Sequence, residues 1–142
     1  MSESTIAVRF VDTNVLLYAV STAAAEREKN ARAREILEAR DLALSVQVLQ
    51  EFYVQATRPS KSGSLTHEQT ALLIDSWLRF RVQELSVALL QNALATRLRW
   101  DISYWDAAIV EAARAAGCRT LLSEDLQDGM DFGGVVVEDP FR

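Results

Sequence analysis

Four carboxylates fall where an oxygen-only metal site could be assembled: Asp12, Glu51, Asp106 and Asp125. Asp12 closes the apolar run 6–11 and is followed by Thr13, Asn14 and a new apolar segment, the pattern of a strand, a tight turn and a helix. Asp125 follows a second apolar run, 118–122. Parallel strands share one C-terminal edge, and open α/β sheets bind ligands there. Glu51 and Asp106 fall instead in expected helices, each beside an apolar stripe, from which they could reach the same edge. If the four meet, like charges about 4 Å apart repel by about 4 kcal/mol at an effective dielectric near 20. Proton uptake or a divalent cation removes that cost. An ion held by oxygens, with positions left for water, activates a bound water and stabilises charge on a phosphoryl group.

Each carboxylate also suits a local task. Asp, Thr and Asn after a strand are good helix caps, and Ser103 with Asp106 has capping-box spacing. Glu51 could be a solvated border residue of its helix, and Asp125 could stabilise the turn before Leu126. Taken singly these readings are the simpler ones, but they do not explain why all four could reach one place.

The rest of the composition narrows the chemistry. Cys118 and His67 are the only cysteine and histidine among 142 residues, so neither an internal disulfide nor a thiolate and imidazole zinc cluster can form. A metal here is expected to be Mg²⁺ or Mn²⁺. The net charge of −5 and pI near 4.9 argue against a protein that coats nucleic acid through cationic excess, while leaving room for a few arginines and an ion to meet one phosphate backbone. Arg58, Lys61, Arg97 and Arg99 are the candidates for such contacts, although for any single one of them a solvated surface is the simpler reading. Residues 1–5 have neither the basic start nor the apolar stretch of a signal peptide, and no apolar run approaches a membrane span, which predicts a cytoplasmic protein.

The elements that must position the carboxylates can be read from periodicity and punctuation. A short helix is expected over 15–20 and a surface helix over 26–40, resting on Ala33, Ile36, Leu37 and Arg40. A strand over 42–44 meets Ser45 as the cap of a helix over 46–57, with Val48, Leu49, Phe52 and Ala56 inward. Residues 58–65 form a loop by composition. Thr66 and Gln69 have capping-box spacing and open a helix with Leu73, Ile74, Trp77, Leu78 and Phe80 on its apolar face, of which Trp77 and Phe80 could belong to the core or to an interface. A strand over 82–85 precedes a helix over 87–99 with Leu90, Ala93, Leu94 and Leu98 inward. The helix from Ser103 places Trp105, Ile109, Ala112, Ala113 and Ala116 in the core and stops at Gly117. Strands over 118–122 and 135–137 complete one α/β domain over residues 1–142, with a mainly parallel sheet and helices on both faces.

These pieces carry a resemblance. Val11-Asp12-Thr13-Asn14, Val48-Leu49-Gln50-Glu51-Phe52, Tyr104-Trp105-Asp106-Ala107-Ala108-Ile109 and Leu121-Leu122-Ser123-Glu124-Asp125-Leu126 resemble, in order and across nearly the whole chain, the PIN-domain proteins of the VapC toxin type. The resemblance implies a three-layer α/β/α fold with a central, mainly parallel sheet of about five strands. It implies an Mg²⁺- or Mn²⁺-dependent endoribonuclease, the toxin of a type II toxin-antitoxin pair, acting as a homodimer and inhibited by a VapB-type antitoxin. It assigns Asp12, Glu51, Asp106 and Asp125 to the metal site, with Asn14 and Ser123 as polar helpers. The family often has a further Asp two residues after the one matched by Asp125. Gln127 stands there, followed by Asp128, which leaves the part of Asp128 open.

Two rival classes share part of this pattern. A phosphoaspartate enzyme or receiver domain also keeps carboxylates at strand ends, but a dehalogenase-like site wants Asp where Asn14 stands, and both need a lysine late in the chain. Lys29 and Lys61 are the only lysines. A catalytically silent PIN-like module that binds RNA or protein is the other.

Overall fold

The computed structural model describes residues 7–59 and 61–142. Five short strands form one parallel sheet: β1 (Arg9–Val11), β2 (Leu42–Ser45), β3 (Arg81–Gln83), β4 (Thr120–Leu122) and β5 (Val136–Glu138), in the order β3-β2-β1-β4-β5. Phe10, Val11, Leu42, Ala43, Leu44, Leu121 and Leu122 are buried, as strands covered on both faces require. The helices are α1 (Thr13–Ala19), α2 (Arg27–Ile36), α3 (Val46–Ala56), α4 (His67–Trp77), α5 (Val87–Trp100) and α6 (Tyr104–Ala115), with a 3₁₀ turn at Ala24–Glu26. α1 packs on α2 and α3, and α3 on α4; α5 pairs with α6, which lies across β2, β3 and β4. This is the expected three-layer α/β/α arrangement. Of the strand expected over 6–11, Ile6 lies outside the described residues, as does Ser60 of the 58–65 loop.

The central position of β1 matters most for function. The chain moves from β1 to β2 and β3 on one side, then crosses to β4 and β5 on the other. The gap between β1 and β4 is therefore the point where the winding reverses, and a crevice opens there beyond the strand ends. Val11 is in register with Leu122, so the next residues, Asp12 and Ser123, leave the sheet side by side.

Local signals set most helix ends. Ser45, Ser86 and Ser103 accept backbone N–H bonds as N-caps of α3, α5 and α6. Thr66 and Gln69 complete the capping box of α4. Gly117, at φ +79°, ends α6. The helix expected over 26–40 is shorter, because the chain caps at Leu37 and turns toward β2, leaving Arg40 exposed outside it.

Five expected core positions are corrected. Leu90, Leu94 and Leu98 face solvent, while Leu89, Ala93 and Thr96 face inward. α5 is turned because Ala93 packs closely on Ala107 and Ala108, and Thr96 Oγ1 donates to the buried carboxylate of Glu111 at 2.7 Å. Trp105 is exposed on the first turn of α6, and Leu78, expected inward, is exposed as well. Trp77 belongs to the core, edge-on to Phe52 at 4.8 Å, and Phe80 is also buried.

α5 ends at Asp101, which adopts the left-handed conformation (φ 53°, ψ 49°) with a nearly fully exposed side chain. Among the described residues its only ion pair is a 3.7 Å contact with Arg97, a surface pair of little weight. Asp101→Gly is expected to raise stability by about 0.5–1 kcal/mol, since glycine adopts this conformation without the Cβ penalty. A denaturant titration would read this as a higher midpoint at unchanged slope.

Candidate active site

Asp12, Thr13, Asn14, Glu51, Asp106 and Asp125 line one cleft of about 390 Å³ at the carboxyl edge of the sheet, together with Tyr18, Glu26, Lys61, Trp105 and Glu124. Asp12 is buried at the end of β1. Its Oδ1 accepts from the Thr13 amide at 2.7 Å, capping α1, and its Oδ2 accepts from Ser123 Oγ at 2.8 Å. Capping and placement in the cleft are thus compatible, because each carboxylate oxygen keeps a further lone pair. Asn14 donates to Asp125 Oδ2 at 3.2 Å and accepts from the Glu124 amide at 3.3 Å, tying α1 to the turn after β4. Ser123, fully buried, also accepts from the Asp125 amide at 3.1 Å.

Glu51 enters from α3. Thr13 Oγ1 donates to its Oε1 at 2.8 Å and Gln47 Nε2 to its Oε2 at 3.2 Å. Neither Thr13 nor Gln47 was singled out from sequence. The available signals were the position of Thr13 directly after Asp12 and the four-residue spacing from Gln47 to Glu51, which puts both on one helix face. Asp106, half-buried in the first turn of α6, completes the cleft wall; its amide donates to Ser103 Oγ at 3.1 Å.

The electrostatics set these four apart from Glu124, which shares their cleft, and from Asp128. Among the described residues none of them is in an ion pair, whereas Glu124 is taken by Lys29 and Asp128 by Arg142. Burial pushes Asp12 up from 3.8 to about 6, against the pull of Ser123 and the Thr13 amide and with help from the Asp125 and Glu51 charges. Asp106 is raised by desolvation and by the same two neighbours, with Ser103 opposing. Glu124 runs the other way: burial would lift it, but the Lys29 ammonium and the Tyr18 hydroxyl hold it below the usual carboxylate range. The cleft therefore gathers four carboxylates that no ion pair among the described residues compensates.

The PIN domain family model matches residues 9–127, a span that contains all four carboxylates. The chain belongs to the PIN-domain family. No match was found among curated protein sequences. Several solved structures share the PIN fold. A toxin-antitoxin complex from Klebsiella pneumoniae is 21% identical, with TM-score 0.66 over 93% of this chain and 97% of that one. VapC20 of Mycobacterium tuberculosis, described as a toxin cleaving the sarcin-ricin loop, is 20% identical, with TM-score 0.65 over 82% and 91%. VapBC2 of Rickettsia felis, solved on a DNA fragment from its promoter, is 18% identical, with TM-score 0.63 over 92% and 97%.

The donor chemistry of the PIN cleft fits a hard, hydrated cation. Among the described residues no three acidic, histidine or cysteine side chains stand close enough to enclose an ion by themselves. Such a site suits an ion bound by one or two carboxylates with water filling its shell, as Mg²⁺ usually is. Asp128 lies outside the cleft lining: its carboxylate accepts from the Asp139 amide at 2.7 Å and from Arg142 at 3.2 Å, holding the C-terminal segment. Of the four cations, Lys61 lines the cleft, and Arg58 lines an adjoining hollow across Trp105. Arg97 and Arg99 line neither. Thr96 meets Glu111 more than a turn beyond Asp106 on α6, so its neighbours point away from the cleft, Arg97 toward Asp101 and Arg99 over the Trp100 ring.

Proposed function

We propose that this PIN domain, spanning residues 1–142, is an Mg²⁺- or Mn²⁺-dependent endoribonuclease and the toxin of a VapBC-like pair. The observation that carries the reading is the gathering of four carboxylates, from the ends of two strands and from two helices, into one cleft where, among the described residues, none of them is in an ion pair. The described chain has no helix long and apolar enough to cross a membrane, in keeping with a cytoplasmic role. Asp12, Asp106 and Asp125 would hold the ion, one or two of them directly and the rest through its bound waters, with Glu51 binding it directly or through water. When bound, Mg²⁺ or Mn²⁺ supplies a more acidic water and an electrostatic partner for the phosphoryl oxygens.

The chain's own groups do the rest. Ser123 and the Thr13 amide fix the two oxygens of Asp12, Asn14 fixes Asp125, and Gln47 with Thr13 fixes Glu51, so the carboxylates are oriented before substrate arrives. Glu51 would take the proton from the attacking water, and Lys61 would meet the RNA backbone. A VapB-type antitoxin, like the one implied in the VapBC2 complex of Rickettsia felis, would control access. A homodimer is supported by the solvent-facing apolar row Val87, Leu90, Leu94 and Leu98 along α5.

Purified full-length protein should cut single-stranded RNA in Mg²⁺ or Mn²⁺ and stop on chelation. Cutting that is indifferent to chelator removes the metal-dependent reading. Stable RNA binding without any cutting favours the silent module.

A further inference from the structure

Trp105 is the one exposed aromatic among the described large apolar side chains, with 64% of its surface in water, and it stands next to Asp106. Its placement is built. The buried Gln47 amide donates to the Trp105 carbonyl at 3.4 Å and also to Glu51, so one side chain fixes both the indole's backbone and a cleft carboxylate. The Tyr104 ring meets the indole edge-on at 5.1 Å and limits its rotation. Trp105 borders the acidic cleft on one side. On the other it borders a hollow of about 350 Å³, lined by Gln50, Val54, Gln55 and Arg58 of the α3 side.

We infer that Trp105 and this hollow form a stacking subsite for the unpaired nucleobase next to the phosphodiester held in the acidic cleft. The inference rests on the ribonuclease reading and names the substrate's form: the base must be unstacked, so the RNA is single-stranded or looped there. An indole face accepts any base, which gives affinity without strict sequence demand. The Gln50 and Gln55 amides each offer a donor and an acceptor to a base edge, and Arg58 is placed for the following phosphate. An apolar side chain of a protein partner would use the ring but leave those amides unanswered.

The test titrates single-stranded RNA hexanucleotides of each base into the full-length protein in Ca²⁺. It follows tryptophan emission and the anisotropy of a fluorescein label. RNA is expected to quench the wild type, with the quench missing in Trp105→Phe because neither other tryptophan lines the hollow: Trp77 is buried against Phe52 and Trp100 packs edge-on to Phe132. Trp105→Phe should bind within about threefold of wild type, and Trp105→Ala about 5- to 100-fold more weakly, at unchanged thermal midpoints. Wild-type affinity in Trp105→Ala, or no quench on binding, overturns the subsite. So does a Trp105→Ala variant altered only in its sedimentation, which would assign the indole to a protein contact. Quenching without cleavage in Mg²⁺ supports the subsite and overturns the nuclease; cleavage with wild-type binding by Trp105→Ala does the reverse.

Discussion

Asp12→Asn should abolish metal-dependent RNA cleavage while making the metal-free protein more stable. Losing several kcal/mol of transition-state charge stabilisation lowers the rate by about a thousandfold or more. The stability gain comes from the same burial that places Asp12 in the cleft. Its folded-state pKa of about 6 lies above the unfolded value of 3.8, and that displacement stores on the order of 3 kcal/mol against the folded state at neutral pH. Asparagine is uncharged and can still accept from the Thr13 amide, but it loses the Ser123 hydroxyl bond, so a net gain of about 1–2 kcal/mol is expected. Between pH 4 and 6 the native state binds more protons at this position than the unfolded chain does. Wild-type stability should therefore fall as pH rises through that window, and the Asp12→Asn slope should be flatter. Mn²⁺ should raise the wild-type thermal midpoint and leave the variant's nearly unchanged. A wild type that is unmoved by metal, or a variant that still cuts, removes Asp12 from the site.

Arg114→Ala should be among the most destabilising substitutions away from the cleft. Glu111 is buried on α6 and is neutralised by Arg114 Nε at 3.0 Å, with Thr96 as its other partner. The same guanidinium donates to the carbonyls of Gly133 at 2.7 Å and Phe132 at 2.5 Å, pinning the loop that leads into β5. Its removal strands a buried carboxylate and the part-buried Phe132 carbonyl, and leaves the exposed Gly133 carbonyl to water. The cost is about 3 kcal/mol, the low end for a broken buried pair because Arg114 is itself partly exposed. That corresponds to roughly 10 °C in the thermal midpoint. Arg114→Ala combined with Glu111→Gln should recover part of the loss, since a neutral amide can still accept from Thr96. A double variant no better than the single one would place the cost in the loop instead.

The acidic cleft was legible in sequence because its parts are announced locally. Strand ends at Asp12 and Ser123 follow from apolar runs, and Ser45 and Ser103 announce the helices that deliver Glu51 and Asp106. What failed depends on partners far along the chain. Leu89, Leu90, Ala93 and Leu94 support two overlapping stripes, and side-chain size favours the leucine one; only the small Ala107 and Ala108 and the Glu111 carboxylate on the facing helix choose the other. The same dependence misplaced Trp105 in the core. Asp128 looked available until the returning tail brought Arg142 and the Asp139 amide to it.

The central position of β1 also bears on synthesis. Ser123 reaches Asp12 across 111 residues, and β4 cannot pair with β1 until it has been made. Contacts of such sequence separation form late, because a long loop must close first. A nascent or truncated chain ending before β4 would lack Asp125 and the hydroxyl that orients Asp12, so it would be inert toward RNA however well its first helices had folded.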